Sequence, residues 1–384
     1  MVRPDTEDDR ASMDDARSGG HRNAFIMLGL GGAVVAAFGI SAAAAIVAPV
    51  FFALVLTICV HPLRVALERR GVPRGLATGS VIVAVTLLLL AFGYAVLVAF
   101  GQFATLLPQF ADEIREWGSD VAAWLGSLGI GADGVESMFA DFDPSTLVTF
   151  VGGLVGGLAG VTSALVIIFT MLLLMAMDAG YLPTLLRQTT PHRPLLVTAL
   201  TGYSHNVRRY MVVTTVLGLA QGAVNWLALV LLGVPGAFIW GLLAFLCSFI
   251  PNIGYFIAII PPIIFGGLVG GWPTVIAVIV VYALINAVIQ SIIQPRVVGN
   301  AVALSQTITF FSVLLWAVVL GPIGAILAIP LTLLLRVVFV DSNPAVAWVR
   351  PLLGELDETK ALIAESDAAA KAARTARRAS AASE

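Results

Sequence analysis

Asn286, Gln290 and Gln294 recur at every fourth position near the end of a long apolar run, and Arg296 follows them closely. Residues four apart share one face of an α-helix, so the three amides form one polar stripe with a single cation at its foot. Gln221 and Asn225 repeat the spacing on an earlier run, and Asn252 and Gln306 add two more amides. Amides beside one guanidinium suit a small, oxygen-rich solute that is neutral or singly anionic. Membrane helices also use amides as packing glue, and that reading stands beside the first. His192 and His205 lie in a basic stretch without a carboxylate and read as solvated surface residues.

What is missing narrows the chemistry. From Ala179 to Val340 there is no Asp or Glu, and between Arg209 and Arg336 the only cation is Arg296. Proton and sodium relays in pumps usually use an intramembrane carboxylate. Asp178, at the end of an apolar run, is the nearest coupling candidate, and a solvated helix end would look the same. Lys360 and Lys371 are the only lysines, which excludes a Gly-Lys-Ser/Thr phosphate loop. No HExxH or GxSxG pattern occurs, and Cys59 and Cys247 lie inside apolar runs, where a thiol behaves as a small hydrophobe. The reading is of no enzyme, no metal site, no cofactor and no nucleic-acid partner.

The elements that carry these residues belong in a bilayer. The chain has 384 residues, 59% hydrophobic and 11% charged, with a mean hydropathy of +0.97; a soluble domain is about a quarter charged. An all-α polytopic membrane protein follows, with about six full spans by the roughly 20-residue length rule. Residues 1–23 form a polar tail and 24–101 the scaffold spans, in which Pro49 is expected to interrupt the first long run. The loop from His61 to Arg74 carries Arg64, Arg69, Arg70 and Arg74 against Glu68 alone, and is cytoplasmic by the positive-inside rule. An acidic amphipathic segment, 102–146, lies outside; 147–177 returns inward; 178–210 is basic and cytoplasmic. A transport core, 211–340, and an Ala-rich charged tail, 341–384, complete the chain, with both termini cytoplasmic.

Within the core, two apolar segments are each split at their middle. Ile250-Pro-Asn-Ile-Gly254 divides a hairpin over 236–270, and Gly321-Pro-Ile-Gly324 divides another over 304–338. At a shift of 70 residues Ile253, Gly254, Ala258 and Ile259 fall on Ile323, Gly324, Ala328 and Ile329, an internal repeat of the breaks. Each half is short for a crossing, so the halves are expected to be two re-entrant helical hairpins inserted in opposite senses, as in inverted-repeat transporters. The alternative is that each hairpin crosses fully as two short spans. Helices that begin at a break aim unpaired N–H groups at it, which makes Pro251, Asn252, Gly254, Pro322 and Gly324 candidate solute contacts beside Asn286, Gln290, Gln294, Arg296 and Gln306.

Those ordered motifs, with Ala258, Pro261, Gln294-Pro-Arg-Val-Val-Gly299, Pro330 and the early Arg69-Arg70-Gly71-Val72-Pro73, resemble the autoinducer-2 exporter (AI-2E) family of bacterial multi-pass permeases over about residues 24–340. The resemblance adds Pro295 and Gly299 to the candidate binding residues. It implies a homo-oligomer, pentameric in the family, in the bacterial cytoplasmic membrane. It also implies export of a small quorum-sensing furanone by some members and sodium/proton exchange by others. Ser305 and Gln306 stand where many relatives carry His-Pro, and the span before Gln294 lacks an acidic residue common among them; both departures weigh against exchange. The reading is an exporter or facilitator of a small polar metabolite such as autoinducer-2, by alternating access at the two hairpins. A sodium/proton antiporter and a non-transporting membrane scaffold organised by segment 102–146 are the alternatives.

Overall fold

The computed structural model describes residues 27–29, 31–110, 158–294, 304–354 and 363–368, together with Arg296 and scattered positions between 112 and 127. Pro295, Gly299, the tail 1–23 and most of segment 102–146 lie outside the described residues. Every regular element among those described is helical.

An apolar helical stretch, Met27–Ala42, leads into α1, Ala44–Arg69. The expected interruption at Pro49 is not there. The helical run is interrupted at Ala43 instead, and α1 continues through both Pro49 and Pro62. A proline inside a helix frees the carbonyl four residues earlier. For Pro62 that carbonyl is Ile58 O, and Arg208 Nε, 150 positions away in sequence, donates to it at 2.9 Å. The helix survives because a distant side chain replaces the missing bond.

At the C-terminus of α1, Gly71 sits at φ +87°, its N–H bonds Glu68 O at 3.0 Å and the Val72 N–H bonds Leu67 O at 3.2 Å. This pair of bonds is a Schellman ending followed by Pro73, so the expected loop from His61 is helical up to Arg69. Then α2, Arg74–Leu106, packs against α1 and α3, Leu158–Asp178. Ala53, Ile168 and Leu172 form the seam between α1 and α3, and Arg64 Nη1 ties it by donating to Ala176 O at 3.0 Å.

A short helix α4, Leu182–Thr189, turns 59° away from the end of α3. It precedes α5, Pro194–Leu231, whose 38 residues span about 57 Å at 1.5 Å per residue, well beyond a hydrocarbon core of roughly 30 Å. The second half of the basic segment 178–210 is therefore the overhanging start of α5 and not a loop.

Three further elements build the broken region: α6, Ala237–Cys247; α7, Gly254–Asn286; and α8, Gln306–Ile326. Although α7 is a continuous helix by hydrogen bonding, Gly271 has φ 61° and ψ −159°, a conformation essentially confined to glycine. A Cβ placed on Gly266 would lie 3.3 Å from Val278 Cγ2. A straight helix would hold residues twelve apart about 18 Å from each other, so α7 folds back on itself at Gly271. The same holds for α8, where Gly321 has φ 70° and ψ −156° and Trp316 Nε1 donates to Thr332 Oγ1 at 3.0 Å. Past Leu327 the returning leg is α9, Ala328–Arg336, extended by a π-turn, Val337–Asp341.

Five described helices are long and apolar enough to cross a bilayer, six if the bent α3–α4 pair counts as one. By length and composition alone, two of the five are the folded-back α7 and α8. Their reversals show that such a count does not equal the number of crossings.

The second hairpin is closed at its base. Ser305 caps α8 by accepting from the Ile308 N–H at 3.3 Å, while its own N–H donates to Leu353 O at 2.8 Å, on the short helix α10, Arg350–Leu353. Asp341 joins the same corner through Arg336 at 3.2 Å and Arg350 at 3.1 Å.

Candidate functional site: the meeting of two broken hairpins

Small residues bring α5 and α6 into backbone contact. A Cβ on Gly222 would stand 2.7 Å from Gly241 O, one on Gly241 would stand 2.6 Å from Trp226 Cβ, and one on Gly218 would run into the Ser248 hydroxyl. The contact partners descend along α6 as they climb α5, so the two helices are antiparallel. Trp240 stacks near Phe265 with ring centroids 5.4 Å apart, which sets α6 antiparallel to the first leg of α7.

Between those legs the chain turns over 248–253, the turn expected at Ile250–Gly254. Asn252 takes φ 64°, the only positive φ of a non-glycine among the described residues, a conformation asparagine tolerates better than most side chains. Gly254 is buried, and a Cβ there would collide with Cys247 O; at Gly324 it would collide with Trp316 O. Gly254 starts a new helix against the carbonyl end of the one before it, and Gly324 presses against Trp316 O just past the reversal at Gly321.

Phe249, Ile250 and Ile253, from the first turn, pack on a large buried cluster that α1 and α5 share with Trp316, Leu320, Ala325 and Leu327 of the second hairpin, so both breaks border one apolar core. On α5 and the second leg of α7, polar side chains interrupt the apolar interior; Asn225 is 1% exposed and Tyr282 2%, and Thr214 and Gln221 are buried on α5 as well. Asn225 Oδ1, Tyr282 Oη and Asn286 Oδ1 are sealed from solvent with no hydrogen-bond partner among the described residues. Leu229, one turn from Asn225, shares a cluster with Val278 and Tyr282, so α5 packs on the second leg of α7 there. Leaving a buried oxygen unbonded costs about 1–3 kcal/mol, and each of these calls for an explanation.

The expected site residues are distributed as follows. Gly254 and Gly324 are buried at the two breaks; Pro251 is half-buried, and Asn252 and Pro322 are exposed. Asn286 turns an enclosed oxygen inward, Gln290 and Gln294 are half-buried, and Arg296 is exposed. Gln306 is exposed at the first position of α8, outside the junction. Asp178 is exposed at the end of α3, which packs on α1 and α2. Sequence reasoning noticed the spacing of Gln221 and Asn225 without assigning them a role, and it passed over Tyr282 as part of an apolar span. The usable signal was the glycine row Gly218, Gly222 and Gly241, which marks where α5 is pressed against its neighbour.

The family model for the AI-2E family transporter matches residues 25–342. The chain belongs to the AI-2E transporter family. Among similar members, the putative transport protein YhhT of Escherichia coli K12 is 32% identical over 307 residues, 80% of this chain and 88% of that protein. The AI-2 transport protein TqsA of the same strain is 31% identical over 315 residues, 81% and 90% of the two chains. A putative transport protein of Haemophilus influenzae is 27% identical over 87% of this chain and 97% of its own. This AI-2E family member is therefore a multi-pass transporter of the bacterial inner membrane, and the matched segment contains both breaks and the enclosed polar unit.

Proposed function

We propose that this AI-2E family member exports, or lets equilibrate, a small polar solute rich in oxygen atoms, with autoinducer-2 as the first compound to try. The solute crosses by alternating access at two re-entrant hairpins, within a homo-oligomer whose termini are cytoplasmic. The observation that carries the reading is the set of enclosed oxygens of Asn225, Tyr282 and Asn286, on the helices that flank the first break. Unbonded groups in a dry interior cost stability, and a solute hydroxyl arriving during the transport cycle would satisfy them.

The hydrogen-bonding character of the unit favours a neutral or weakly anionic cargo, and TqsA, a relative of similar length, is named for AI-2 transport. The acid-free stretch from Ala179 to Val340 argues against an ion-coupled cycle through the core.

The test is uptake or release of autoinducer-2 by the purified protein in liposomes, with and without an imposed proton or sodium gradient. Gly254→Trp, which wedges an indole against Cys247 O, is the inactive control. Flux without a gradient that disappears in the control is the expected result. Flux equal to that of protein-free liposomes under every condition would exclude autoinducer-2 as the cargo. Flux unchanged by Gly254→Trp would remove the break from the pathway.

A further inference from the structure

A groove at the α1–α5 contact carries chemistry that transport does not use. It lies between the last turns of α1 and the overhanging start of α5, with a volume of about 450 Å³, and opens to solvent. His61, Arg69 and Arg70 line it from α1, and Arg208 lines it from α5. No acidic residue does. The nearest carboxylate on α1, Glu68, is turned to the adjacent face, where it pairs with Arg64 at 3.2 Å. Arg69 and Arg70 are exposed and have no ion-pair partner among the described residues. Arg208 is half-buried and also lines the groove, held by the bond from its Nε to Ile58 O at 2.9 Å.

The rest of the wall is apolar. Pro62, Val65 and Ala66 form an apolar floor along α1, between the His61 end, where Arg208 reaches Ile58 O, and the Arg69–Arg70 end. Residues 61, 62, 65, 66 and 69 form one helical stripe about 12 Å long.

We propose that this groove is a binding site for the phosphate headgroup of an anionic phospholipid. Arg69 and Arg70 take the phosphate oxygens, and the glycerol and first segment of an acyl chain lie on Pro62, Val65 and Ala66. A free phosphate would use the arginines alone. The apolar floor points to a lipid, and basic clusters between helices at the membrane surface are where such headgroups dock. Because Arg208 closes the other side of the groove from α5 and holds the Pro62 turn of α1, the lipid would brace α1 against α5.

The experiment uses the full-length protein in neutral detergent, titrated with phosphatidylglycerol, with phosphatidylcholine or with inorganic phosphate, and reads retained lipid by native mass spectrometry together with the thermal unfolding midpoint. Phosphatidylglycerol is expected to bind and raise the midpoint, and phosphatidylcholine and inorganic phosphate to do neither at equal concentration. The double variant Arg69→Gln/Arg70→Gln should weaken phosphatidylglycerol binding by about thirtyfold, two charges' worth at an anionic surface. Arg69→Lys/Arg70→Lys should recover most of it, and Arg187→Gln, on α4, should change nothing. Both exposed arginines make no contact that folding needs, so the variants remain folded. Equal binding of the two lipids, unchanged binding in the Gln variant, or full competition by inorganic phosphate would each overturn the assignment.

Discussion

Asn225 shows most directly what one side chain can be kept for. A leucine would fill nearly the same volume, and at 1% exposure with an unbonded Oδ1 the asparagine has no energetic claim to its place. Asn225→Leu is expected to raise stability by about 1–3 kcal/mol, the cost of an unanswered buried amide, while lowering solute flux. A thermal melt and a liposome flux assay on one preparation check both halves. A variant that is less stable and equally active would mean the amide is packing glue. Asn252 is the opposite case: exposed and already in a left-handed turn, it contributes by conformation, and its side chain reaches no enclosed partner.

At the scale of the element, the two prolines of α1 show where sequence reading stops. Proline weakens a helix by removing a bond, and nothing near Pro62 says that the bond is replaced. The replacement comes from Arg208, on a helix that begins 132 residues after Pro62. The coupling is testable as a cycle in detergent without anionic lipid. Arg208→Gln should cost about 1–3 kcal/mol in the natural background, and much less once Pro62→Ala restores an amide to Ile58 O. Equal costs in both backgrounds would show that the bond carries no load.

By contrast, the breaks at 248–253 and Gly321 were legible, the first from Pro251-Asn252 ahead of Gly254 and the second because φ 70° with ψ −156° leaves few choices but glycine. The reversal at Gly271 was legible as a pair of glycines before a proline. Tyr282 was not, since one hydroxyl in an apolar run carries no signal until its neighbours are known. Nor could spacing alone say that Asn286 would be enclosed while Gln306, equally polar, would lie outside the junction.

For the whole molecule, the outer surface is as apolar as the interior. Val216, Leu219, Leu227 and Val280 are each more than half exposed, on the same helices that bury Asn225 and Tyr282. Polar inside and greasy outside is the arrangement lipid demands. Asp178 ends α3, which packs on α1 and α2 and, among the described residues, makes no major contact with the helices that carry Asn225 and Tyr282. Asp178→Asn is therefore expected to leave flux and its pH dependence unchanged, measured in liposomes across a proton gradient. Loss of gradient-driven flux in that variant would return the exchanger reading to first place.

The clasp between Ser305 and Leu353 has a practical side. Gly354, at φ 121°, sits so close to the Ser305 amide that any side chain there would strike it. The 49-residue loop from 305 to 353 thus has a fastener with no tolerance in its last link. A reporter domain or purification tag spliced in at 354 would pry the clasp apart, whereas one attached after it would leave the second hairpin shut at its base. For anyone labelling this transporter to watch it move, that position divides a harmless handle from an unintended mutation.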